Sequence, residues 1–238
     1  MNIVAIETAT ETVGVAVRTD DGAQAAFTQS GRRRHVETLA PAMEDLFARV
    51  GLVPTDLHLV AVDIGPGLFT GLRVGVAAAK GLAQALGIGV VALSSLDILT
   101  RAAVQFGHRG YILAAVDARR GEVFAAVCEL RAGQDRTEDV IASGLFSPEE
   151  LAETLNELGG VPIMGVGDGA QRYADVLGAV PGVCCLVDAL ASPPPLTLLD
   201  MAVELYVTGR SPVAPASVVP LYMREADAKS NFTQVTSH

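Results

Sequence analysis

The chain has 238 residues, of which 50% are hydrophobic and 18% charged, enough to bury one large core or two smaller ones. Its formal net charge of -10 argues against a nucleic-acid binder acting alone, because phosphate contacts draw on Lys and Arg. No uninterrupted apolar run reaches the roughly 18 to 20 residues that span a bilayer. The opening Met1-Asn2-Ile3-Val4 enters a strand without a basic region, so no signal peptide and a cytoplasmic location are expected.

Residues 3–7 alternate apolar positions before the turn Thr8-Ala9-Thr10, and residues 13–18 and 24–29 follow as strands around the hairpin signal Asp20-Asp21-Gly22. A helix is expected over 36–50, with Val36, Leu39, Met43, Leu46, Phe47 and Val50 spaced by threes and fours and Pro41 near its first turn. The apolar run 57–64 reads as a buried strand leading into Gly65-Pro66-Gly67, and a small-residue helix is expected over 72–86 with Thr70 as its cap and Gly87 at its left-handed end. That helix carries Gly71, Gly75 and Ala78 on one face and Ala77, Gly81 and Ala85 on another, more small surface than packing on one sheet requires. Arg73 falls in its first turn, where a cation needs a partner such as a carboxylate or phosphate.

A strand over 88–93 and a helix capped by Ser94 or Ser95 complete a first block. The pattern then restarts. Residues 111–116 and 123–130 form strands around Asp117-Ala118-Arg119-Arg120-Gly121, and 140–143 add a third. Ser147-Pro148-Glu149-Glu150 opens a helix, and the strand 161–166 runs into Gly167-Asp168-Gly169-Ala170 and a short helix. The expected domains are therefore 1–108 and a smaller 109–195. A helix over about 196–210 packs back on the first, and a partly disordered tail covers 211–238.

Few chemistries fit these residues. Cys128 and the adjacent Cys184-Cys185 read as core thiols, because neighbours on a strand point to opposite faces. His35, His58, His108 and His238 lie far apart, so no metal site is expected. No Gly-x-Ser-x-Gly elbow occurs, and Lys80 reads as a surface residue. A nucleotide site stays open, since turns at 7–10, 63–67 and 165–169 each follow a strand.

The segments Ile3-Val4-Ala5-Ile6-Glu7-Thr8-Ala9-Thr10, His35-Val36-Glu37-Thr38-Leu39, the glycine stretch 63–75, Ser94-Ser95-Leu96 and Asp117-Ala118-Arg119-Arg120-Gly121-Glu122-Val123 resemble the TsaB family. The match is good over about the first 130 residues and looser beyond. The resemblance implies an α/β fold of two tandem ribonuclease H-like lobes of the actin and Hsp70 ATPase type. It also implies a non-catalytic subunit in the synthesis of threonylcarbamoyladenosine in tRNA. In that system TsaD transfers the threonylcarbamoyl group to N6 of the adenosine beside the anticodon, TsaE supplies an ATPase, and TsaB scaffolds TsaD by pairing helices of the first lobes. The pair of metal-binding histidines of TsaD has no counterpart on the helix 36–50, which favours a scaffold. Glu7 stands where ATPases of this fold have Asp, and Ala9 where they have Gly, which weakens a hydrolytic reading.

The expected partner face is Val36, Leu39, Met43, Leu46, Gly71, Arg73, Val74, Gly75 and Ala78, meeting TsaD or, when TsaD is missing, a second copy of the chain. A vestigial nucleotide site would fall on Glu7, Thr8, Gly165, Gly167, Asp168 and Gly169, with ATP, ADP or an adenylate held by the complex and no cofactor intrinsic to this chain. Transfer RNA would be met only through the complex, steered by Arg32-Arg33-Arg34 and Arg119-Arg120. The alternative is a small-molecule kinase or ATPase of the same fold, or a peptidase as older family labels have it.

Overall fold

The computed structural model describes residues 1–31, 35–131, 133–134, 136–185 and 189–224, with the side chain of Cys185 excepted. The arginine run 32–34 and the end of the tail from 225 lie outside the described residues.

The first sheet is built from β1 (Ile3–Glu7), β2 (Thr12–Arg18), β3 (Gln24–Ser30), β4 (Leu59–Asp63) and β5 (Gly89–Leu93), in the order β3-β2-β1-β4-β5. The hairpin strand β2 runs antiparallel to β1 and β3, whereas β4 and β5 run parallel to β1 and β4 in turn. Parallel central strands are covered on both faces, which is why β1 and β4 are apolar almost without interruption and buried throughout. The edge strand β3 has only one covered side, and Ala25 and Phe27 alone turn inward.

The second sheet repeats the plan. β6 (Gly110–Arg119), β7 (Glu122–Leu130), β8 (Glu138–Phe146), β9 (Ile163–Val166) and β10 (Val183–Cys185) are ordered β8-β7-β6-β9-β10. Numbered within its own block, each sheet reads 3-2-1-4-5, with the same antiparallel hairpin at the start and parallel strands after it.

Helices complete the layers. α1 (His35–Val50) and α2 (Phe69–Leu86) cover one face of the first sheet, where Leu39, Leu46, Phe47, Val76 and Ala83 meet Val4, Ile6, Val60 and Val62. α7 (Pro195–Val207) covers the other face through Leu198, Leu199 and Ala202. Between the lobes lies α3 (Ser95–Gln105), which sends Ile98 into the core of the first sheet and Leu96, Leu99 and Ala103 into that of the second. The outer face of the second sheet is closed by α4 (Pro148–Asn156) and the short α5 (Asp168–Arg172) and α6 (Ala174–Leu177).

Several local readings change in the structure. α2 starts at Phe69, three residues before the expected Leu72, and Thr70 is not its cap. The Leu68 N–H instead donates to the Ala9 carbonyl at 2.6 Å, and the Leu68 carbonyl then accepts from Leu72, so a tertiary bond sets the helix start. α1 already begins at His35, and Pro41 sits exposed in its second turn, where the missing N–H costs one helical bond. The tail is ordered from 211 to 224. Val213 pairs with Val90 of β5, Val218 is buried in the first core, Leu221 N–H donates to the Ile64 carbonyl, and Arg224 pairs with Glu122 of the second lobe. Lys80 is not simply a surface residue, since its ammonium donates to the Val218 carbonyl at 2.9 Å and holds this strap against α2.

Candidate functional site

Two features compete as the functional centre, the α1/α2 surface and the cleft between the lobes. The link between them is the seam where the glycine loop after β4 lies on the turn after β1. A Cβ at Gly67 would come within 2.2 Å of the Ala9 carbonyl oxygen, one at Gly71 within 2.1 Å of the Thr8 carbonyl oxygen, and one at Gly75 within 2.2 Å of the Thr8 hydroxyl. Only a residue without a side chain permits this approach. The Thr8 hydroxyl donates to the Gly71 carbonyl at 2.8 Å, and the buried His35 ring donates through Nε2 to the Thr10 carbonyl at 2.9 Å, which ties the start of α1 to the same turn.

This seam corrects the expected partner face. Gly71 and Gly75 point inward at Thr8, and Leu39 and Leu46 are 3% and 2% exposed in the core, so none of the four offers surface to a partner. Val36, at 74% exposure, and Arg73 do face outward, and Met43, Val74 and Ala78 are half-buried at the edge. The outward small face of α2 is the other one, Ala77, Gly81 and Ala85, all exposed, and a Cβ at Gly81 would meet nothing within 4 Å among the described residues. Arg73 finds its partner in aromatic rings and not in an acid. Its guanidinium lies 3.8 Å from the centroid of Phe69, one turn earlier, and donates to the Tyr222 hydroxyl at 3.2 Å, while the Phe69 and Tyr222 rings sit 5.4 Å apart.

The interlobe cleft has a volume of about 490 Å³ and is lined by Thr10, Glu11, Asp117, Arg119, Asp168 and Arg172, among others. Arg119 closes it at one end by pairing with Glu11 of the first lobe at 2.6 Å and with Asp117 at 2.9 Å. Its backbone is left-handed, φ 63°, at the bulge where the β6/β7 register shifts, a conformation that L side chains adopt at a cost. Asp168 accepts from the Asp117 N–H at 2.9 Å, and burial together with the Asp117 charge pushes its carboxyl up to about 6.

Of the residues expected to form a nucleotide site, only Asp168 lines this cleft. Glu7 and Thr8 are fully buried beneath it, and Gly165 lies inside β9. Gly167 and Gly169 serve packing, for a Cβ on them would come within 2.0 Å and 2.9 Å of Ala115 backbone atoms. Among the described residues no group of three or more His, Cys, Asp or Glu side chains is placed to hold a metal ion, and no helix is long and apolar enough to cross a membrane. Sequence reasoning missed the Asp63 carboxylate as a structural anchor. Its Oδ1 accepts from the Gly65 N–H and the Ser95 hydroxyl, both at 2.7 Å, and an Asp two residues before the first glycine of a Gly-Pro-Gly turn was the available signal.

Two sheets of one strand order, sharing a helix and facing each other across a cleft, define a two-lobed α/β protein of the actin and Hsp70 ATPase type. A family model described as TsaD, tRNA N6-adenosine threonylcarbamoyltransferase, matches residues 28–166, and the Escherichia coli tRNA threonylcarbamoyladenosine biosynthesis protein TsaB is 31% identical over 229 residues, 94% of this chain and 95% of its own. The chain belongs to the TsaB family. The Bacillus subtilis TsaB is 29% identical over 236 residues, covering 98% of this chain and 99% of its own. Among solved structures, YeaZ from Pseudomonas aeruginosa superposes with a TM-score of 0.79 at 27% identity, over 93% of this chain and 99% of that one.

Proposed function

We propose that the chain is a non-catalytic scaffold subunit for threonylcarbamoyl transfer to N6 of the adenosine beside the anticodon in tRNA, and that it acts by pairing the outer surface of α1 and α2 with TsaD. The observation that carries this reading is the open small-residue face of α2, with Gly81 facing solvent in the middle of an 18-residue helix. A helix-interior glycine costs about 1 kcal/mol relative to alanine, and nothing among the described residues lies close enough to require it here. Close approach of a second helix backbone supplies a reason, and Val36 and the Phe69–Arg73–Tyr222 cluster flank that approach with apolar and aromatic surface. The same face serves a second copy of the chain when TsaD is missing.

The non-catalytic part of the reading is supported by the seam. The backbone of the β1–β2 turn is occupied by Leu68 and the α2 glycines, and the Thr8 hydroxyl is engaged by Gly71, so neither is free to cradle phosphate. The cleft also presents Glu11, Asp117 and Asp168 against Arg119 and Arg172, a lining short of positive charge for a nucleotide polyphosphate. Adenine nucleotide or adenylate is accordingly assigned to the assembled complex, with TsaE joining through it, and tRNA reaches this acidic chain only by way of TsaD.

The test is co-purification with TsaD, followed by tRNA modification with and without this chain. Stable capture of TsaD and modification that depends on the chain support the proposal. Threonylcarbamoyl transfer, nucleotide hydrolysis or proteolysis by the chain alone would overturn it.

A further inference from the structure

Glu7 ends β1 and Asp63 ends β4, and the pairing of Ile6 with Val62 makes them neighbours across the two parallel strands. Alternation puts both on the face that carries Ile3, Ala5, Leu59 and Ala61, under α3 and α7. Both are completely buried. Each uses one carboxyl oxygen to fix one side of the seam: Glu7 Oε1 accepts from the Ala9 N–H at 2.7 Å, and Asp63 Oδ1 accepts from the Gly65 N–H and the Ser95 hydroxyl. The second oxygen of each, Glu7 Oε2 and Asp63 Oδ2, is buried without a hydrogen-bond partner.

Among the described residues the surroundings offer no compensating charge. Asp97 of α3 bears on Asp63 and Asp168 of the second lobe bears on Glu7, and both are acidic. β2 and α7 present Gly14 and Pro195 beside Glu7, and among the described residues no Lys, Arg or His forms an ion pair with either acid. Two bare carboxylates in such a place would forfeit hydration and repel each other. The oxygens already bound by N–H groups must remain acceptors, so a proton has only Oε2 or Oδ2 to occupy.

We propose that Glu7 and Asp63 form an acid pair that holds one proton at neutral pH, carried on Glu7, and that this proton keeps the glycine loop seated on the β1–β2 turn. Burial first, and then the Asp63 charge, hold the Glu7 carboxyl well above the usual carboxylate range, and burial pushes Asp63 up to about 7. Loss of the proton puts a second negative charge into the seam whose two sides are joined by the Leu68-to-Ala9 bond, directly at the start of α2. The outer face of α2 thereby becomes sensitive to pH, a consequence that rests on the scaffold reading.

The pair itself is tested on the isolated full chain. Infrared spectra report the C=O stretch of a protonated carboxylic acid apart from carboxylate bands, and thermal melts from about pH 6 to about pH 9 report the linked stability. The wild type should still show the acid band at about pH 8, above the range in which Asp63 holds a proton of its own, and a midpoint that falls as pH rises. Glu7→Gln should lose most of that band, reduce the pH slope to roughly half or less, and melt above the wild type at the alkaline end. Should Glu7→Gln fail to fold, Asp63→Asn, which keeps the acceptor for Gly65 and adds a donor toward Glu7, must flatten the slope in the same way. An unchanged acid band in Glu7→Gln, or an unchanged slope in the variant that folds, overturns the proposal. Both readouts concern the chain alone, so they fail independently of the partner face.

Discussion

Alanine substitution at three glycines of α2 should divide by direction, although the chemical change is the same. At Gly81 the new Cβ meets nothing within 4 Å, so the gain is the helix propensity alone, about 0.8 to 1 kcal/mol, which for a chain of this length raises the midpoint by about 2 to 4 °C. At Gly75 the Cβ falls 2.2 Å from the Thr8 hydroxyl, which must rotate away and break its 2.8 Å bond to the Gly71 carbonyl. Losing that buried bond costs about 1 to 3 kcal/mol and the forced repacking a further ~1 to 3 kcal/mol, for a net loss of about 1 to 5 kcal/mol after the propensity gain. Gly71→Ala should be worse still, because its Cβ meets the Thr8 backbone carbonyl at 2.1 Å, and a backbone atom has no rotamer to escape into. Denaturant unfolding, run at protein concentrations low enough to leave the chain monomeric and again at high ones, separates fold stability from association. Gly81→Ala should stabilise the dilute chain yet weaken its association. A neutral Gly75→Ala, or a Gly81→Ala that destabilises the dilute monomer, would refute the division of α2 into an inward and an outward small face.

Other consequences follow from single contacts. Above the ordinary carboxylate range the folded chain binds more protons than the unfolded one at Asp168, up to about pH 6, at Asp63, up to about pH 7, and at Glu7, so stability should fall as pH rises through this window, measurable by urea unfolding at stepped pH. Arg119→Gly and Arg119→Ala both remove the ion pair to Glu11, but alanine keeps the left-handed strain at φ 63°, so the glycine variant should be the more stable of the two by about 1 kcal/mol. Tyr222→Ala removes the ring packed at a tilt against Phe69 and the acceptor for Arg73, and should cost about 1 kcal/mol in fold stability while loosening the strap, seen as faster amide exchange at Leu221.

The doubled architecture was legible because each block carries the same local signals: hairpin strands around Asp-Asp-Gly or Arg-Arg-Gly, then a helix, then a strand ending in a glycine turn. What stayed hidden depended on contacts distant in sequence. A period of 3.6 shows that α2 has two small faces, but only the position of Thr8, some sixty residues earlier, decides that Gly71 and Gly75 face inward and Ala77, Gly81 and Ala85 outward. Thr70 has the chemistry of a cap, yet the Ala9 carbonyl fixes Leu68 and moves the helix start. The partner of Arg73 lies 149 residues away, in a strap whose Pro, Ala and Ser content resembles a loose tail. Turns at 7–10 and 165–169 suggested a phosphate cradle by their glycines and acids, whereas their tertiary role is close packing, which sequence spacing does not distinguish from ligand approach.

The scaffold reading is tested most directly by reconstituting tRNA threonylcarbamoylation with TsaD and its companion factors, adding either the wild-type chain or the double variant Ala77→Arg, Gly81→Leu. Both positions are exposed and the Gly81 site is open, so the variant should fold and melt near the wild type. The prediction is full modification with the wild-type chain, little without it, and little with the double variant. Modification that proceeds equally without the chain, or equally well with the folded double variant, would contradict it.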